Sequence, residues 1–135
     1  MTNQEKKQYL LQYRNNESEI SRTIEELTRW ESRARRVTSG WSDLSSGTSN
    51  QGDRIQMCVE KIIEMQNKLA EQIDRGVALR EDIEKAIGAV ADDRLRLLLR
   101  YRYIDGYTWE RIAVEMHYSW RQVVRMHGKA LEEMS

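Results

Sequence analysis

Two long stretches of this chain repeat their apolar side chains at near-heptad spacing, and nothing else in the sequence constrains the fold as strongly. In residues 5–37 the repeat runs through Leu10, Tyr13, Ile20, Ile24, Leu27 and Ala34, with Trp30 and Val37 alongside. In residues 55–90 it runs through Ile55, Val59, Ile62, Leu69, Ile73, Ile83, Ile87 and Val90. Such spacing places one apolar stripe along each of two long amphipathic helices. Between them lies TSGWSDLSSGTSNQG, residues 38–52, whose serines and glycines read as a loop long enough for an antiparallel hairpin. Gly76 and Gly88 each cost a helix about 1 kcal/mol relative to Ala, so the second helix can bend or break at either. The chain has no proline, and Lys, Arg, Glu, Leu and Gln recur at helical spacing, so the expected fold class is all-α.

A two-helix hairpin cannot bury all of that apolar surface by itself. The simplest cover is a second copy of the chain, giving a homodimer through the N-terminal helices. The alternative is that the hairpin folds onto the C-terminal part as one monomeric core.

The C-terminal third has a different pattern. Thr108 can cap a short helix, Trp109 to Met116, with Ile112, Ala113 and Met116 inward. The chain turns at His117 and Tyr118. Ser119 with Gln122 three positions on then forms a capping-box pair, so a second helix starts at Trp120. Val123, Met126, Ala130 and Met134 share one face of it, while Arg121, Gln122, Arg125 and Lys129 lie elsewhere. From Ser119 to Leu131 there is no acid and the local charge is +3; residues 94–131 carry +5, although the whole chain has 22 basic and 22 acidic residues. The positive field is therefore local, as on a protein that meets nucleic acid with one face.

Three segments together resemble a known family: Leu99-Arg100-Tyr101-Arg102-Tyr103, Thr108-Trp109-Glu110-Arg111-Ile112-Ala113, and Tyr118-Ser119-Trp120-Arg121-Gln122-Val123 followed by Lys129-Ala130-Leu131. They look like region 4 of bacterial sigma-70 factors. Within that superfamily, a short chain with a long helical N-terminal half is most similar to the ArpU/RinA-type late-transcription regulators of Gram-positive phages. The resemblance implies a helix-turn-helix whose second helix enters a DNA groove, and a phage or prophage regulator of late genes. Two departures stand out: the turn position usually held by Gly is His117, which a left-handed backbone tolerates only at some cost, and positions that commonly carry polar DNA contacts hold Trp120 and Val124. Those two side chains can meet thymine methyls or the sugar edge, or pack against the N-terminal half.

Catalytic and metal chemistry find no constellation. His117 and His127 lack Cys, His or carboxylate neighbours at ligand spacing, and Cys58 lies in a helical run where a structural thiol is expected. Asp92 and Asp93 suit a helix start, and Arg33, Arg35 and Arg36 suit a helix end. No glycine-rich phosphate loop occurs, so no enzyme, cofactor or metal is expected. One cysteine excludes an intramolecular disulfide, and no secretory signal or long apolar run is seen, which points to the cytoplasm and away from a membrane.

The expected organisation is a coiled-coil-like helical hairpin over residues 1–91, for assembly or polymerase contact, and a helix-turn-helix domain over 92–135. The expected function is sequence-specific binding of double-stranded DNA in transcription regulation. The residues expected to touch DNA are Ser119, Trp120, Arg121, Gln122, Arg125 and Lys129, with Arg100 and Arg102 on phosphates. The rival is an adaptor that binds no DNA and docks on RNA polymerase or another protein.

Overall fold

A computed structural model of the protein describes residues 1–39 and 49–134. Those residues form α1 (Asn3–Ser39), α2 (Ser49–Gly88), α3 (Asp93–Tyr103), α4 (Trp109–Met116) and α5 (Trp120–Glu133), with no strand among them. The all-α class is correct; α1 outruns its expected range at both ends, while α2 starts earlier than expected and ends at Gly88, two residues short of 90. Of the expected loop 38–52, Thr38 and Ser39 still belong to α1 and Ser49–Gly52 already belong to α2, while residues 40–48 lie outside the described residues. Local bonds explain the extension of α1: the Thr38 hydroxyl donates to the Ala34 carbonyl at 2.8 Å and the Ser39 hydroxyl to that of Arg36 at 3.0 Å. α2 passes unbroken through Gly76 and ends at Gly88, where Val90 N–H reaches back to the Ile87 carbonyl at 3.0 Å. The cost of one glycine, about 1 kcal/mol, is small against a helix with so many turns on either side.

The chain divides into two compact units, Met1–Glu17 with Arg75–Ser135, and Ser18–Asp74. This differs from a boundary at 91/92. In the first unit, Leu10 and Tyr13 of α1 and Ile83 and Ile87 of α2 share one core with Leu95, Leu99 and Tyr103 of α3 and Ala130 and Leu131 of α5. Lys6 Nζ donates to the Leu131 carbonyl at 2.9 Å within it. The three short helices alone would leave that side of their apolar surface in water, so the start of α1 and the end of α2 are part of the same fold.

The second unit holds the rest of α1 and α2. Gln51 Nε2 donates to the Val37 carbonyl at 2.5 Å, which joins the start of α2 to the end of α1. Among its described residues Cys58 and Met65 are the buried apolar side chains, and Thr23 is buried too. Ile24, Val59 and Ile73, expected on the packed stripe, are exposed, as are Met57 and Ile63.

Candidate nucleic-acid interface

Each short helix is started by a side chain that accepts from its own first amides. Asp92 caps α3 by accepting from Arg94 N at 2.9 Å and Leu95 N at 3.3 Å. The amides of Leu95 and Arg94 hold its carboxyl below the usual aspartate range. Thr108 caps α4 through Arg111 N at 3.2 Å. Before it, the chain turns at Gly106, whose φ of 73° belongs to the left-handed region that a side chain would strain. α4 ends at His117 with φ 59° and ψ 40°. There Tyr118 N–H bonds to the Ala113 carbonyl at 3.0 Å and His117 N–H to that of Val114 at 3.3 Å, the Schellman pattern of a helix end. Histidine thus fills the position that favours Gly, at the cost expected.

α5 begins with the capping box. Gln122 N–H donates to Ser119 Oγ at 3.2 Å, and Ser119 N–H donates to Gln122 Oε1 at 2.9 Å. Its inner face, Val123, Ala130 and Met134 as expected, with His127 and Leu131 in addition, packs on α3 and α4. Leu98, Ile112, Ala113 and Val123 form a second core cluster that fixes the angle between the helices. His127 lies 2.6 Å from the Tyr103 hydroxyl through Nε2, and Trp109 stands edge-on to its ring at 4.7 Å between centroids. Burial, with Lys7 and Arg102 nearby, pushes the imidazole down to about 4, so the ring is neutral and structural.

The outer face of α5 is exposed along Arg121, Gln122, Arg125 and Lys129, with Ser119 at its start. This face opens on a cavity of about 240 Å³ bounded by Asp92, Arg94, Leu95, Tyr118, Gln122, Arg125, Met126 and Lys129. Arg94 Nη1 donates to the Tyr118 hydroxyl at 2.8 Å, which brings a cation of α3 beside two of α5. Three cations thus border the cavity against one carboxylate, and that carboxylate is already bonded to the amides of α3.

Two expected phosphate contacts lie elsewhere. Arg100 is exposed, 3.8 Å from Glu84 Oε1, an oxygen that Arg80 also approaches at 3.3 Å. Arg102 is half-buried, donates to the Tyr107 carbonyl at 3.0 Å and lies 4.4 Å over the Trp109 ring. It braces the turn between α3 and α4; neither arginine borders the cavity. Trp120 and Val124 are 54 % and 40 % exposed, so neither is buried in a core. The addition is the pairing of Arg94 with Tyr118: the two are far apart in sequence, and no spacing rule joins them.

No protein-family model, curated protein or solved structure matches the chain. Among the described residues no group of His, Cys, Asp and Glu gathers as metal ligands do. No described helix is long and apolar enough to cross a membrane.

Proposed function

We propose that the protein is a sequence-specific DNA-binding transcription regulator that reads double-stranded DNA through α5, with α4, the His117 turn and α5 acting as a helix-turn-helix. The observation that carries this reading is the stretch of α5 from Arg121 to Lys129, which holds no acid: Arg121, Gln122, Arg125 and Lys129 are all exposed there while Val123, His127, Ala130 and Leu131 are buried. A helix entering a major groove needs that division, because it must rest on its own protein and still offer donors to base edges and phosphates. Arg94, held by Tyr118, adds a phosphate contact from α3. The resemblance to sigma region 4 supports a phage or prophage late-gene activator acting in the cytoplasm, with RNA polymerase as a further partner and a homodimer formed through α1 and α2.

A second reading, an adaptor that docks on polymerase or another protein without binding DNA, is favoured by the apolar side chains left exposed on α1 and α2.

Binding isotherms separate the two. A duplex selected from a random pool and a scrambled duplex are each titrated at two salt concentrations. Arg121→Ala and Arg125→Ala should each cost about 1 to 3 kcal/mol on the selected duplex and narrow its advantage over the scrambled one. Lys129→Ala should weaken both duplexes alike and lower the salt slope by about one unit. Parent-like binding by all three variants, with circular dichroism unchanged, would leave the adaptor as the better account.

A further inference from the structure

Gln122 is tied into the start of α5 from both its backbone and its side chain. Its backbone N–H donates to Ser119 Oγ at 3.2 Å, and its Oε1 accepts from Ser119 N–H at 2.9 Å. Only the oxygen end of a side-chain amide can accept from an N–H, so this contact fixes which way the group is turned. With Oε1 held against the backbone, Nε2 is the end left to meet a ligand, and Gln122 is exposed. The side chains of Arg121, Arg125 and Lys129 carry donors alone. Among the exposed residues from Arg121 to Lys129, Gln122 has the one side-chain acceptor, and the cap has taken it. This stretch therefore offers hydrogens to whatever it meets.

Base edges in the major groove differ in what they ask of such a face. Guanine shows two acceptors, N7 and O6; thymine shows O4 beside a methyl; cytosine shows a donor, its N4 amino group. Adenine pairs its N7 and its N6 amino group with a glutamine only if Nε2 and Oε1 both turn to the base. That would release Ser119 N–H and undo half of the capping box. We propose that Gln122 is a specificity-determining residue and that it reads guanine, donating from Nε2 to N7 and O6. Arg125, which borders the same cavity as Gln122, adds further donors beside it. This inference deepens the DNA-reading role proposed above and rests on it.

Gln122→Glu tests it in the full chain. The glutamate keeps an oxygen for Ser119 N–H and suits the third position of a capping box, so helix content and melting should be unchanged. What it turns outward is an oxygen in place of an N–H. Duplexes are selected from a random pool by the parent, and each guanine of the selected site is replaced in turn by 7-deazaguanine, which lacks N7 and keeps its base pair. One guanine is expected whose replacement weakens the parent roughly fivefold, as for one lost hydrogen bond, and leaves Gln122→Glu unaffected. The comparison is between duplexes within each variant, so the general weakening by the added charge cancels; Gln122→Met, which is uncharged, repeats it. Replacements that act alike on the parent and both variants overturn Gln122 as the guanine reader, and so does a site where the variants change the preference for an adenine instead. Failure of the parent to select any duplex overturns the DNA-reading role itself, and this inference with it.

Discussion

His127 stands behind the cationic face of α5, and its neutrality has a measurable consequence. The unfolded imidazole titrates near its ordinary value, about 6.5, whereas the folded one is held down to about 4, by burial first and then by Lys7 and Arg102. A depressed folded value means that the unfolded chain takes up the proton first as the solution is acidified. The contribution of His127 is therefore complete above about pH 6.5 and is lost as the pH falls towards 4. The loss should be on the order of 2 kcal/mol, below the full linkage of such a shift because the ring edge retains some contact with water. Replacing Tyr103 by Phe together with His127 by Leu removes the titration without orphaning a hydroxyl. The stability of the parent relative to this double variant, from urea midpoints at pH 7 and near pH 4, should drop on acidification; a constant difference would mean that the histidine is not held neutral.

At the level of the helices, α5 depends on its first turn, since Arg121 and Gln122 lie within it. Ser119→Ala removes half of the capping box and should cost about 1 kcal/mol of stability. On the proposed reading, fraying at that end should also weaken DNA binding more than the stability change alone requires; equal binding by this variant would separate the cap from the proposed reading face. Caps and helix ends are legible in sequence because their partners lie within four residues: Thr108 with Arg111, Ser119 with Gln122, and the left-handed His117. The fates of the arginines are not local. Arg94, Arg100 and Arg102 look alike in a run, and what separates them is a Tyr118 hydroxyl, a Glu84 carboxylate and a Tyr107 carbonyl with the Trp109 ring. On α1 and α2 the apolar periodicity is visible, but buried and exposed apolar positions one residue apart merge into one broad stripe. Burial separates Cys58 from Val59, and periodicity alone cannot. Composition likewise assigns Thr38 and Ser39 to a loop, while their hydroxyls bond back into α1.

For the molecule as a whole, the three short helices are incomplete without residues from both long ones. A fragment of residues 92–134 lacks Leu10, Tyr13, Ile83 and Ile87, all of which close the shared core in the intact chain. It should therefore show less helix than its sequence contributes to the full protein, and melt without a cooperative transition, because too little apolar surface is buried to offset the chain entropy. A sharp thermal transition for that fragment, at the temperature of the full chain, would show that the core closes without them.

The buried bond from Lys6 to the Leu131 carbonyl joins residues separated by 125 positions. During synthesis, residue 6 leaves the ribosome long before residue 131, so the first turns of α1 wait with Leu10 and Tyr13 uncovered while everything between is made. Contacts of such range also slow folding, since the ends of a long segment must meet before the contact stabilises anything. A chain interrupted before α5 leaves the core of this unit unsealed as well as lacking the cationic face. Completion of the core and completion of the cationic face of α5 are thus one event.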